Sequence, residues 1–405
     1  MNLPYFISRR ISNVQSGSFS SIISRLAVAS IGVGLAVMVL SFFILGGFQK
    51  VIKDKIYDIK GHIEISKFDM GSAYDEKPIT VTQQVLNQVY EYAEIEHVQF
   101  FAHKAGMIKT KEEVEGIHFK GVSRNFSANR FQQNMVEGRF VQFDNDEYAR
   151  EVVLSRMIAN RLKLSLDDEA IIYFVQNPPR VRKLKVVGIY ETGLEEIDKT
   201  TVLGDIGLVQ KLNNWPDSLV GGMEVFVKDE SMIDYIDNEL YENLDSTYYV
   251  EMVQKKYSQI FDWLELLDQN VSVFLGLILI VACFNMISII LILIMERTNM
   301  VGVLISLGSS NQQIKKVFLL NGMILVFKGI LIGNVIAIGF ALLQQEFLIV
   351  PLDAANYYMY YVPIHWDIKS MVVVNLVTFG VVSTALYLPL SFVSRISPTR
   401  ALKFD

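Results

Sequence analysis

One cysteine in 405 residues, Cys283, falls inside an apolar run, so neither a disulfide framework nor a cysteine-rich metal site can form within one chain. The histidines are few and scattered: His62, His97, His103, His118 and His365 make no HExxH or other metal-ligand spacing, and read as surface or strand residues. No GxxxxGK[ST] occurs, so the chain brings no P-loop of its own for ATP. No GxGxxG opens a βαβ unit, GxSxG is absent, and no Ser-His-Asp set stands out. The acidic pairs Asp167-Asp168 and Glu195-Glu196 are adjacent in sequence and read as a solvated face rather than as paired catalytic carboxylates. A non-enzymatic chain with no metal and no cofactor of its own is expected.

What the chain has is apolar length. Hydrophobic residues make up 51% and the mean hydropathy is +0.31, too apolar for an ordinary soluble protein. Charged residues at 20% are too many for a chain that is all membrane. A few spans plus a large aqueous domain reconcile the two. The net charge of −6 hides an asymmetry: residues 50–268 carry 26 Lys+Arg against 38 Asp+Glu, about −12, so the remaining ends and loops are positive. An acidic aqueous domain argues against nucleic acid as a partner.

In chain order, residues 1–25 carry Arg9 and Arg10 among aromatics and read as an amphipathic elbow on the membrane surface. Residues 26–48 are uncharged and long enough to cross a hydrocarbon core of about 30 Å. Their apolar run exceeds a signal-peptide core and lacks a small-x-small cleavage site, so an uncleaved first span is expected. Within it, Ser30 with Gly34 and Gly32 with Ala36 have the small-xxx-small spacing that lets helices approach closely in lipid. Residues 49–267 have the composition of an α+β domain. Strands are expected at 62–66, 115–122, 151–155, 170–175, 183–190 and 223–228, and helices at 81–93, 155–164 and 231–243. A helix over 254–267 should run directly into the second span, 268–295, with Trp263 near the interface.

The second span ends at Glu296-Arg297. A short amphipathic piece follows, with Met300, Val301, Val303, Leu304 and Leu307 apolar and Gly308 breaking it. This 296–316 segment leads into a third span, 317–343, containing Asn321, Lys328 and Asn334. Lys328 admits two readings: a charge facing a cavity or partner subunit, or a long stem reaching back to the headgroups. A short loop, 344–370, includes the aromatic stretch YYMYYVPIHW; a fourth span, 371–393, carries Pro389; a tail, 394–405, closes the chain.

Lysine and arginine cluster before the first span, between the second and third, and after the fourth. Both termini and the 296–316 loop are therefore expected in the cytoplasm, with the acidic domain outside. A membrane helix that ends in a charge pair and a short interfacial helix suits the uptake of force from a cytoplasmic protein.

The stretches GVGLAVMVLSFFILGGFQKVIKDKI, LILIVACFNMISIILILIMERTNMVGVLISLGSSNQQIKKVFLLNG, VPIHWDI and SRISPTRALKFD resemble the FtsX/MacB-type ABC permeases, and among them the lipoprotein-releasing LolC/LolE type. The resemblance covers essentially the whole chain and is most specific at Glu296–Gly308 with Gln312-Gln313-Ile314. It implies an α-helical membrane protein with four transmembrane helices and a large α+β extracytoplasmic domain inserted between helices 1 and 2, in a bacterial inner membrane. It implies a cytoplasmic ABC ATPase dimer as partner, holding the ATP and Mg, together with a second permease copy or a paralogue. The cargo would be a triacylated lipoprotein drawn from the outer leaflet and handed to a periplasmic carrier.

On this resemblance, coupling to the ATPase falls to Glu296, Arg297, Asn299, Met300, Val301, Leu304, Leu307 and Gly308. A lipid or substrate cavity between the first two spans would be lined by Val33, Val37, Leu40, Phe274 and Ile278. The turn VQNPPRVR at 175–182 corresponds to the place where such permeases dock the carrier, through Gln176, Asn177, Pro178, Pro179 and Arg180; it is shorter than a long hook would need, and an ordinary hairpin turn is the favoured reading. Competing expectations are an FtsX-type relay to a cell-wall hydrolase, a MacB-type exporter, which usually carries a fused ATPase, and a membrane-anchored ligand sensor.

Overall fold

The structure, a computed structural model, describes residues 19–67, 76–143, 148–353, 357 and 359–391. Of the elbow expected over 1–25, residues 1–18 lie outside them and 19–25 already belong to a long helix, and the tail from 394 lies outside them as well. The chain divides into two compact units: 1–50 with 263–352 and 361–405, and 51–262 with 353–360.

The first unit holds helices that a membrane would accept. Among the described residues four are long and apolar enough to cross one: Ser21–Lys60, Ser258–Glu296, Asn311–Phe347 and Ile368–Leu390. We label the helices α1 (Phe19–Lys60), α2 (Ser258–Glu296), α3 (Thr298–Ser306), α4 (Asn311–Phe347) and α5 (Ile368–Ala385). Every fourth residue of α1 from Ala27 through Ile31, Leu35 and Val39 to Phe43 is buried, a stripe that joins Met286, Ile290 and Leu293 of α2 and Leu325, Val326 and Ala337 of α4 in one apolar core. Small residues bring α1 and α4 together: a Cβ on Gly329 would lie 2.7 Å from Ile31 Cβ. Two polar pairs link helices within the bundle. Asn334 and Asn375 join α4 to α5 through reciprocal amide hydrogen bonds of 2.8 and 3.1 Å, and Asn285 of α2 donates to Ser30 Oγ of α1.

The helices run past the expected spans at several ends. α1 continues to Lys60 because 49–60 is amphipathic: Ile52, Ile56 and Ile59 remain buried while lysines and aspartates alternate around them. α2 starts at Ser258, after a separate turn Val253–Lys256, and α4 starts at Asn311 because Ser310 caps it. The fourth apolar helix is interrupted after Ala385, and a short turn Tyr387–Leu390 that includes Pro389 follows.

The second unit is α+β. Its strands are β1 (Ile63–Lys67), β2 (Ile79–Thr80), β3 (Ile95–Lys109), β4 (Val114–Val122), β5 (Met135–Gly138), β6 (Glu151–Ser155), β7 (Glu169–Phe174), β8 (Arg180–Tyr190), β9 (Thr201–Asp205), β10 (Leu219–Val220), β11 (Gly222–Val227) and β12 (Tyr248–Met252). The order β12-β1-β11-β3-β4-β9-β6-β8-β5 forms the main sheet, and β7 pairs with both β3 and β8. The pairings β3-β4-β9-β6-β8-β7 thus close a ring of six strands, from which β11, β1 and β12 extend as an open sheet. β3 belongs to both parts: its first half pairs with β11 and its second half with β4 and β7. The ring interior is packed, with Phe119 and Phe174 edge to face at 5.6 Å. The sequence pattern missed β3, the longest strand, because glutamine, histidine and lysine interrupt its apolar alternation; β5, β9 and β12 were missed as well.

Candidate coupling site

The residues that carry the strongest sequence signal build a tight link between α2 and α4. α2 ends at Glu296, and Thr298 Oγ1 donates to Met295 O at 2.7 Å as the chain enters α3. At the far end of α3, Leu307 N donates to Val303 O, Gly308 N to Ile305 O and Ser309 N to Leu304 O, closing the terminal carbonyls. Gly308 has φ of +91°, a backbone region costly for any residue with a Cβ. Two residues on, Ser310 caps α4: Gln313 N donates to Ser310 Oγ at 3.3 Å and Ser310 N to Gln313 Oε1 at 2.9 Å. The run LGSSNQQI is therefore a helix stop followed at once by a helix start, and it holds α3 in one place between two membrane helices.

Burial divides the expected coupling residues. Val301 is 0% exposed and belongs to the apolar core of the helices, and Met300 and Leu304 pack half-buried against it. Val301, expected among the coupling residues, thus lies in the core of the helices. The helical period puts it on the same side as Leu304 and Ile305, and this side faces the other helices. Glu296, Asn299, Leu307 and Gly308 are exposed, while Arg297 is half-buried with its Nε enclosed and unpaired among the described residues. Val303, which was not among the expected contacts, is 47% exposed beside Leu307 at 77%. The exposed residues of α3 are Asn299, Val303 and Ser306, and Leu307, also exposed, follows at its C-terminal cap.

The expected cavity residues are not brought into one lining. Val33, Val37 and Phe274 face outward, whereas Leu40 and Ile278 pack against the helix core. The reason lies in the α1 stripe: burying Ile31, Leu35 and Val39 leaves 33 and 37 on the opposite side. Gly34 and Ile278 bring the two helices close here, with 3.6 Å between a Cβ at 34 and Ile278 Cγ2. Lys328 is exposed on α4 and has no ion-pair partner among the described residues.

The 175–182 turn is shorter than expected. β8 already begins at Arg180, which pairs with Phe174, so the connection is 175–179 and residues 180–182 are strand. Asn177, Pro178 and Pro179 are exposed, joined by a cis Asn177-Pro178 bond; Gln176 is half-buried, and Arg180 Nη1 donates to Lys211 O at 3.1 Å, tying the base of the hairpin down. Among the described residues no group of three or more His, Cys, Asp or Glu is placed to hold a metal.

Comparison with known proteins places these features. Residues 24–240 match the MacB-like periplasmic core domain, and residues 272–398 match the FtsX-like permease C-terminal family. LolC of the lipoprotein-releasing system of Xylella fastidiosa is 22% identical over 96% of this chain and 95% of its own length. LolE of Haemophilus influenzae is 21% identical over 99% of both chains. Among solved structures, the extracellular domain of the noncanonic ABC-type transporter YknZ from Gram-positive bacteria matches with a TM-score of 0.33 and 18% identity, over 47% of this chain and 98% of that one. The periplasmic region of MacB from Actinobacillus actinomycetemcomitans matches with 0.35 and 12%, over 49% and 91%. The first family match alone covers more than half of the sequence, and the chain belongs to the FtsX/MacB-type ABC-transporter permeases.

Proposed function

We propose that this chain is the permease subunit of an ABC transporter that releases lipoproteins from the outer leaflet of the inner membrane, driven by a separate cytoplasmic ATPase. The observation that carries the reading is α3: a nine-residue helix fixed between two membrane helices, with Val303 and Leu307 exposed at its end. Exposed apolar side chains on a rigid helix make a contact for another protein. The full-length similarity to LolC and LolE supports lipoprotein as the cargo.

In this reading both termini and α3 are cytoplasmic and the second unit is periplasmic. ATP-driven closure of the ATPase dimer moves α3. The movement passes along α2 and α1 into the periplasmic domain, and the cargo is squeezed out of the bilayer rather than conducted through it. Acyl chains would be taken up by the outward-facing Val33, Val37 and Phe274 once a second permease, identical or paralogous, encloses them. The exposed 177–179 turn is the place for carrier docking.

Affinity purification of the detergent-solubilised protein tests this reading. An ATPase subunit and, without ATP, acylated lipoprotein are expected to copurify, and ATP with a periplasmic carrier should discharge the lipoprotein. Replacing 177–179 with Gly-Ser-Gly should leave ATP hydrolysis intact and abolish transfer to the carrier. Recovery of a peptidoglycan hydrolase in place of lipoprotein would overturn the cargo assignment, and absence of any ATPase would overturn the transporter reading itself.

A further inference from the structure

The most buried charges of the second unit lie where α1 ends on the sheet. Lys120 of β4 and Glu224 of β11 have no exposure, and neither does Gln99 of β3. Lys120 Nζ donates to Glu224 Oε1 at 2.5 Å and to the carbonyl oxygen of Ile59, in the last turn of α1. The other oxygen of Glu224 accepts from Gln99 Nε2 at 2.7 Å, and Gln99 Oε1 accepts from Ser127 N at 3.0 Å. A continuous line of directed bonds therefore runs from the end of α1 across three strands to the loop before residue 128.

The backbone at this point has no slack. Gly61 and His62 separate α1 from β1; Gly61 has φ of +68°, and a Cβ there would stand 3.1 Å from Glu224 Cβ. His62 N donates to Val225 O at 2.9 Å, and Val227 N donates to His62 Nδ1 at 2.9 Å. The returning chain is fastened to the same place: Val253 N donates to His62 O at 3.0 Å, Gln254 Nε2 to Tyr57 Oη at 2.9 Å, and Lys256 Nζ to Glu64 Oε1 at 2.6 Å.

A buried ion pair is a poor device for stability, because apolar residues of similar volume commonly do as well. What it adds over an apolar contact is direction. An apolar helix end can slide over a sheet by an ångström with small loss, whereas an ammonium bound to one particular carbonyl oxygen fixes the register. The helix terminus reinforces this choice, since its free carbonyls carry partial negative charge that a cation complements. Burial pulls the Lys120 ammonium down to about 8, and the Glu224 carboxylate opposes that fall.

We propose that Lys120 and Glu224 are the positioning residues of a slip-free joint, which delivers displacement of α1 to the sheet without loss of register. The joint rests on the permease reading above and adds to it the residues through which movement reaches the periplasmic domain.

The test uses the full-length protein with its ATPase in nanodiscs and a fluorescent triacylated lipopeptide as cargo. The Lys120→Met/Glu224→Gln variant removes the ammonium and keeps an amide to meet Gln99. ATP hydrolysis is expected within about twofold of the parent protein, with lipopeptide released per ATP lowered at least about tenfold. Unchanged release per ATP in this variant would overturn the joint. A second measurement needs no variant: amide hydrogen exchange over residues 57–64 should stay equally slow with and without ATP. Loss of protection there in either state would show the joint opening and overturn it, whether or not the variant folds. If the parent complex shows no ATP-dependent release at all, the permease reading fails, and the joint falls with it.

Discussion

Gly32 of α1 and Gly333 of α4 meet backbone to backbone: a Cβ on Gly333 would stand 2.7 Å from the carbonyl oxygen of Gly32 and 2.9 Å from Leu35 Cβ. Without a hydrophobic driving force between helices in lipid, such close approach is what holds them together. Gly333→Ala is therefore expected to weaken the helix bundle by roughly 1–3 kcal/mol through overpacking. Gly32→Ala, whose nearest contacts are 3.3 Å, should cost less, and Gly339→Ala or Gly380→Ala, with nothing within 4 Å, should be neutral. Thermal unfolding of the four variants in detergent checks the order. Equal melting of Gly333→Ala and Gly380→Ala would refute the contact.

The division of α3 into buried and exposed residues separates two substitutions that sequence alone would treat alike. Leu307→Asp, at an exposed position, should leave expression and melting unchanged but lower cargo release at least about tenfold, with ATPase binding weakened. Val301→Asp buries a charge in the helix core and should prevent accumulation of folded protein, a loss of more than about 4 kcal/mol. Copurification of the ATPase with each variant checks the pair. Normal ATPase binding and release by Leu307→Asp would move the contact elsewhere.

How far the sequence discloses this architecture depends on where each residue finds its partner. The four apolar helices are legible because lipid demands long runs of apolar residues, and hydropathy reads this directly. Their ends are not, since α1 continues through Ile52, Ile56 and Ile59 on a stripe that an average over neighbours dilutes. β3 was hidden for a different reason. Its Gln99 and His103 are acceptable in a sheet only because Glu224 and Glu76 reach them, and these lie 125 and 27 residues away. The amphipathic period of α3 was visible, but periodicity does not say whether the apolar side faces its own bundle or a partner. Val301 and Val303 look equivalent in sequence and are opposite in the fold. Lys120 gave no signal at all, being one lysine among the many of an acidic domain.

Glu76 offers a prediction whose sign follows from its surroundings. Its Oε2 accepts from His103 N at 2.6 Å, and its Oε1 lies 3.1 Å from His103 Nδ1. Burial, helped by the nearby Glu64 carboxylate and opposed by the His103 N–H, Lys256 and Lys60, pushes the carboxyl up from 4.5 to about 7. Burial, with Lys60 and Lys120, keeps the His103 ring neutral, so a protonated Glu76 can donate to Nδ1. Between pH 4.5 and about 7 the folded protein holds a proton that the unfolded chain has already lost. The contribution of this group to stability is therefore greatest at the acid end of that window and declines as pH rises through it. Glu76→Gln stays neutral throughout and can reproduce both hydrogen bonds. The variant should match the parent protein near pH 4.5 and become the more stable of the two by pH 8. The gap should be on the order of 2 kcal/mol, since the side chain is 22% exposed and keeps some contact with water. Unfolding of both proteins followed by circular dichroism across this range measures the difference, in which the other titrating groups cancel. A gap that stays constant with pH would show that Glu76 is charged in the fold at neutral pH, and its bond to His103 would then be an ordinary carboxylate contact.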